Sequence, residues 1–152
     1  HDVINFSYRN YLSKNFLTKS NNIINEKVIN ITDNYRPDII VLGHNNILES
    51  NTLSSIKSKY KSKVILWYED ALGHKGEGPN WRNNLSLIEN NKDLIDQYYL
   101  TTHPDEINTK IDKKKLDYEI GGNNSIKSTT IKKFQNKSND NKNLVFFDME
   151  IF

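Results

Sequence analysis

Asp38-Ile-Ile-Val-Leu-Gly43, Lys63-Val-Ile-Leu-Trp-Tyr68 and Gln97-Tyr-Tyr-Leu-Thr-Thr102 are strand-length runs, and each stops at a polar loop. Segments of helix length separate them, Asn51 to Tyr60 and Trp81 to Asp96. A run that is apolar at successive positions, rather than at alternate ones, belongs to a strand buried on both faces. Parallel neighbours also need a crossover connection, which the intervening segments supply. The pattern therefore predicts a Rossmann-like α/β domain of three layers with a mainly parallel sheet. Ligands bind such sheets beyond the carboxyl ends of the strands. The loops there begin at His44, Glu69 and His103, so polar chemistry stands where the fold places a site.

On the amino-terminal side, Asp2-Val-Ile-Asn-Phe-Ser7 forms another strand, and Tyr8 to Lys19 is expected to be a loop with short helical turns. From Ser20 to Tyr35 the pattern is helical, with Ile24, Val28, Ile31 and Tyr35 forming one apolar stripe and Ser20 as N-cap. Pro37 ends this helix, because it disfavours helical geometry at Arg36 and has no N–H to donate. The next helix has Ser50 or Asn51 as cap and Leu53, Ile56 and Tyr60 on its inner face. Glu69 to Asn80 is a long irregular connection containing Gly73, Gly76, Gly78 and Pro79, and loops of that length usually carry function or lack order. Leu85, Ile88, Leu94 and Ile95 are the buried positions of the Trp81–Asp96 helix. Pro104 to Lys114 reads as a short helix and Leu116 to Ile120 as a fifth strand, broken by Gly121-Gly-Asn-Asn124. The domain thus runs over 1–124, with 125–142 a linker or loose helix and 143–152 the possible start of a second domain.

The chain has 152 residues, which suits one domain with a moderate core. Asn, Lys, Ser and Ile are favoured, the bias of an AT-rich genome, so the Asn-x-Ser/Thr matches at Asn5 and Asn30 carry no weight. Net charge is +2 with no basic block fit for a nucleic-acid arm; Lys113-Lys-Lys115 is a solvated helix end. Absence of cysteine excludes disulfides and thiol chemistry and fits a reducing compartment. No run approaches the roughly 18 apolar residues of a membrane span and no signal peptide is visible, so a cytoplasmic location is expected. A doubly wound sheet ordinarily has a strand and a helix before the point where this chain starts. The first strand and helix are thus expected to be missing, and the chain to be the middle of something larger.

Four stretches together resemble the amino-terminal domain of a GT-B glycosyltransferase, nearest to the CgeB-like proteins and related sugar transferases of bacterial surface-polysaccharide clusters. They are His1 to Arg9, Arg36-Pro-Asp-Ile-Ile-Val-Leu-Gly-His44, Val64-Ile-Leu-Trp-Tyr-Glu-Asp70 and Asp96-Gln-Tyr-Tyr-Leu-Thr-Thr-His-Pro-Asp105. The likeness covers about residues 1 to 120 and rests on pattern more than on invariant motifs. It implies an acceptor-side domain, sugar transfer from a nucleotide-sugar co-substrate to a glycan or glycoconjugate hydroxyl, and no other cofactor. In that family the second domain holds most of the nucleotide-sugar, and Asn143 to Phe147 resembles its first strand. A fragment without that domain is expected to be inactive.

Glu69 and Asp70 open the long glycine loop; a carboxylate there could deprotonate an acceptor hydroxyl, or simply cap a helix or pair with Lys75 or Arg82. His44 and His103 are the alternate catalytic candidates. Asn45 and Asn46, beside His44, suit contacts to sugar hydroxyls or phosphate, while the plainer reading is a loop histidine bonded to the next helix. His74, Lys75 and Trp81 suit a lid whose indole stacks on a sugar ring, against a disordered surface loop. Thr101 and Thr102 make an anion site reasonable, with helix capping by Thr102 or His103 the bland and compatible reading. His1, His44, His74 and His103 show no metal-ligand spacing, so no metal site is expected. Walker A, dinucleotide and Gly-x-Ser-x-Gly motifs are all missing from the chain. The rival reading is a flavodoxin-like or receiver-like module that binds a ligand or partner without catalysis.

Overall fold

The computed structural model describes residues 3–7, 17–43, 48–73, 80–118 and 144–148. Strand β1 is Val3–Ser7, helix α1 Leu17–Tyr35, β2 Ile39–Gly43, α2 Ser50–Tyr60 and β3 Lys63–Tyr68. Then follow α3 Trp81–Asn90, β4 Gln97–Leu100, β5 Leu116–Tyr118 and β6 Leu144–Asp148. All pairings are parallel, in the order β1-β6-β2-β3-β4-β5. The Rossmann-like α/β sheet expected from the apolar runs is present.

Alternation along the strands divides the core in two. Ile40, Leu42, Val64, Leu66, Tyr68, Tyr98, Leu100 and Val145 point to one face, and Val41, Ile65, Trp67 and Tyr99 to the other. Both sets are buried, which is why these strands carry no polar alternation. Ile24 and Val28 of α1, Leu53 and Ile56 of α2, and Ile88 of α3 all join the first set. Their common side follows from handedness. The chain steps from β1 to β4 in one direction across the sheet, and right-handed crossovers taken in one direction lie on one face.

Leu144–Asp148 departs from expectation. The sequence leads one to expect the opening of a second domain there, yet β6 pairs with β1 on one side and β2 on the other. Val145 stands opposite both Ile4 and Ile40 and is fully buried. A Leu-Val-Phe-Phe run satisfies any central strand, and nothing local to it selects which sheet it enters. The proposed linker at 125–142 and the break at Gly121 to Asn124 lie outside the described residues.

Element ends differ more than element cores. Helix α1 begins at Leu17, so Lys19 belongs to it and Ser20 is interior rather than its N-cap; residues 8–16 lie outside the described set. In α2, Ser50 is already helical and Glu49 takes the cap position without a side-chain cap bond. Ser50 Oγ instead donates to Asn91 Oδ1 at 2.7 Å, and the Glu49 N–H donates to Asn25 Oδ1 at 3.0 Å. The third helix stops at Asn90, followed by a turn that still buries Ile95. Asp96 is needed elsewhere: its carboxylate accepts from the Val64 N–H at 2.8 Å and from Lys57 Nζ at 2.7 Å. Pro104 to Lys114 is not one helix but 3₁₀ turns at Pro104–Glu106 and Lys113–Lys115. Between them Ile107 and Ile111 are drawn into the core, and Glu89 Oε1 accepts from Thr109 Oγ1 at 2.7 Å and the Lys110 N–H at 2.8 Å.

Candidate functional site

Pairing of Tyr68 with Leu100, and of Leu100 with Tyr118, sets the carboxyl ends of β3, β4 and β5 side by side. The loops leaving β3 and β4 are laced together. Thr101 Oγ1 donates to the Glu69 carbonyl at 2.6 Å, and the Leu72 N–H donates to Thr102 Oγ1 at 3.1 Å. Asn84 Nδ2, from the first turn of α3, donates to the Ala71 carbonyl at 3.2 Å. Gly73 closes the set, because a Cβ there would stand 3.1 Å from the Glu106 carbonyl oxygen. Glu69, Asp70, Thr101, Thr102 and His103 are therefore gathered at one edge.

Each has a distinct setting. Asp70 is exposed, and Tyr68, two residues before it, lends its hydroxyl to the carboxylate. Burial pushes the Tyr68 phenol up to about 12, with the Asp70 charge and the hydrogen bond adding to the same effect. Glu69 is half-buried. The His103 ring accepts the Asp105 N–H at Nδ1 over 3.2 Å, the capping role its position had offered. Tyr118 meets that ring edge-on, with centroids 4.8 Å apart, and Asp105 Oδ2 lies 3.7 Å from Nδ1. Trp81 is half-buried at the start of α3, with the Arg82 guanidinium 4.6 Å over its ring. His44, Asn45, Asn46, His74 and Lys75 lie outside the described residues.

Sequence reasoning missed Tyr68, Asn84 and Tyr118 as parts of this edge. Tyr68 had one available signal, its place at the end of the predicted strand two residues before Asp70. Among the described residues no cluster of three or more His, Asp or Glu side chains is placed to hold a metal ion. Nor is any described helix long and apolar enough to cross a membrane. A groove unforeseen from sequence, lined by Asp33, Arg36, Pro37, Asp38, Lys59 and Tyr60, lies at the opposite, amino edge of the strands. There Asp33 accepts from Tyr60 and from Lys59 (2.9 Å), which hold its carboxyl below the usual range. Comparison with protein families, curated proteins and solved structures returned no match.

Proposed function

We propose that the chain is the acceptor-side domain of a cytoplasmic GT-B glycosyltransferase, moving a sugar from a nucleotide-sugar to a glycan or glycoconjugate hydroxyl. One observation carries the reading. An exposed carboxylate, Asp70, is held by the Tyr68 hydroxyl at the carboxyl edge of a parallel sheet, beside Glu69, Thr101, Thr102 and His103. A base must be reachable and oriented before its basicity matters, and Asp70 meets both conditions. Glu69 is the alternate base, and Trp81 supplies a ring face for a sugar. The nucleotide-sugar would be held mainly by a second domain, as in the proteins the chain resembles.

The experiment is turnover by the full-length polypeptide with Asp70→Asn and Glu69→Gln. Loss of a general base costs about 100- to 10,000-fold. The reading predicts a loss of that order for Asp70→Asn, or for Glu69→Gln if the roles are exchanged. Turnover within about twofold in both variants would remove it.

A second reading has its own support. Thr101, Thr102, His103 and Asp70 all hydrogen-bond within the protein, as parts of a scaffold do. A flavodoxin-like module that binds a partner without catalysis has the same appearance. It predicts no sugar transfer, and partner binding disturbed by changes at this edge.

A further inference from the structure

Two polar groups of one residue meet a single nitrogen of the His103 ring. The Asp105 N–H lies 3.2 Å from Nδ1, and the Asp105 carboxylate lies 3.7 Å from the same atom. A bare Nδ1 accepts the N–H and has nothing to offer the carboxylate. A protonated Nδ1 is a donor, so it repels the N–H and attracts the carboxylate. Imidazole is the side chain whose ordinary titration falls between pH 5 and 8. Protonation of His103 therefore exchanges one bond to Asp105 for another.

What moves with that exchange is the turn Pro104–Glu106, whose N-cap is His103 and whose Glu106 N–H donates to the His103 carbonyl at 2.9 Å. The Glu106 carbonyl oxygen would stand 3.1 Å from a Cβ at Gly73, so the β3 loop packs directly on this turn. Tyr118 of β5 meets the ring edge-on at 4.8 Å and limits the ring's own movement, which leaves the turn to adjust. Among the described residues, the titratable and charged groups on the elements around the ring have their own places. Lys113 stands 3.8 Å from the other oxygen of Asp105, Asp117 accepts the Tyr118 N–H, and Asp70 takes the Tyr68 hydroxyl; Glu69 and Glu106 complete the two loops. We propose that His103 is a pH-sensitive latch between the β3 and β4 loops. Deprotonated, it caps the turn through the Asp105 N–H. Protonated, it releases that N–H, pairs with the Asp105 carboxylate beside Lys113, and shifts the Glu106 carbonyl on which Gly73 packs. The latch is independent of the glycosyl-transfer reading.

Amide NMR of the full chain from pH 8 to pH 5, above the ordinary carboxylate range near pH 4, tests the latch. His103→Asn is the control, because asparagine also caps a turn through its side-chain oxygen but does not titrate. Solvent exchange at the Asp105 amide, taken relative to the unstructured rate at each pH, should rise roughly two- to tenfold as the ring protonates, the loss of one hydrogen bond. The Gly73 amide should show a shift that follows the His103 ring midpoint, and neither change should occur in His103→Asn. An Asp105 amide already unprotected at pH 8 overturns the capped state, and one protected down to pH 5 overturns the release. A Gly73 shift that ignores the ring midpoint, or is the same in His103→Asn, overturns the link between the loops.

Discussion

Arg36 and Lys61 hold left-handed backbone, with φ of 47° and 56°. Each follows a helix directly and donates its N–H to the residue four earlier, Arg36 to Thr32 at 2.8 Å and Lys61 to Lys57 at 3.0 Å. Glycine is the usual occupant of such a cap, because a Cβ crowds the carbonyl there. Lys61→Gly should therefore raise the unfolding free energy by roughly 0.5–1 kcal/mol in urea titration. A fall would show that the lysine contributes something beyond the cap. Pro37 made the end of α1 readable from sequence, whereas no residue after Lys61 announced its geometry. The tyrosines set the alkaline limit of stability. Tyr68, raised to about 12, and Tyr98, raised by burial and then by Asp93 and Glu89, bind their protons more tightly when folded. Their stabilisation is complete below about pH 10, the ordinary tyrosine value, and falls as pH rises through the folded values. Asp33 acts oppositely, its lowered pKa giving stability that is lost as pH falls below the ordinary carboxylate range near pH 4. Urea midpoints across pH should fall at both ends, and Tyr68→Phe should flatten the alkaline fall only.

Strands were easier to read than helix ends. β3 has the predicted bounds because its apolar run states both its length and its burial. The ends of α3 and β4 are instead set by partners distant in sequence. Asp96 joins α2, β3 and the start of β4 through Lys57 and both polar groups of the Val64 backbone. Asp96→Ala removes two acceptor roles at once and should cost about 2 kcal/mol, since hydrogen bonds to charged groups are worth about 1.5–3. Lys57→Met, which removes only a partly exposed ion pair, should cost less than about 1 kcal/mol. Equal losses would mean the Val64 bond contributes little. Gly73→Ala tests the lacing of the loops. Its Cβ would press on the Glu106 carbonyl and reach Thr102 Cγ2 at 3.5 Å, and a cost of roughly 1 kcal/mol with shifts confined to those residues is expected. The contacts that gather Asp70 and His103 escaped sequence reasoning, because they join loops separated by a helix.

Order across the sheet was the least readable feature. Six parallel strands in the order β1-β6-β2-β3-β4-β5 require the last described strand to return between the first two. Apolar content predicts that a strand is central but is silent on its neighbours. Val145→Asp tests the placement, since an unpaired charge between β1 and β2 should cost several kcal/mol and unfold β2 and β3 together. Buried Trp67 on β3 reports this by fluorescence. A strand belonging to a separate unit would leave Trp67 undisturbed. The proposed function rests on the carboxyl edge of this sheet, whose strand ends were foreseen and whose cross-links were not. Saturation-transfer NMR of the full-length polypeptide against a panel of nucleotide-sugars tests the glycosyl-transfer proposal most directly. Transfer to a nucleotide-sugar, with competition by its nucleoside diphosphate, is the predicted result. No transfer to any member of the panel would contradict it, leaving Asp70 and His103 as scaffold residues of a partner-binding module.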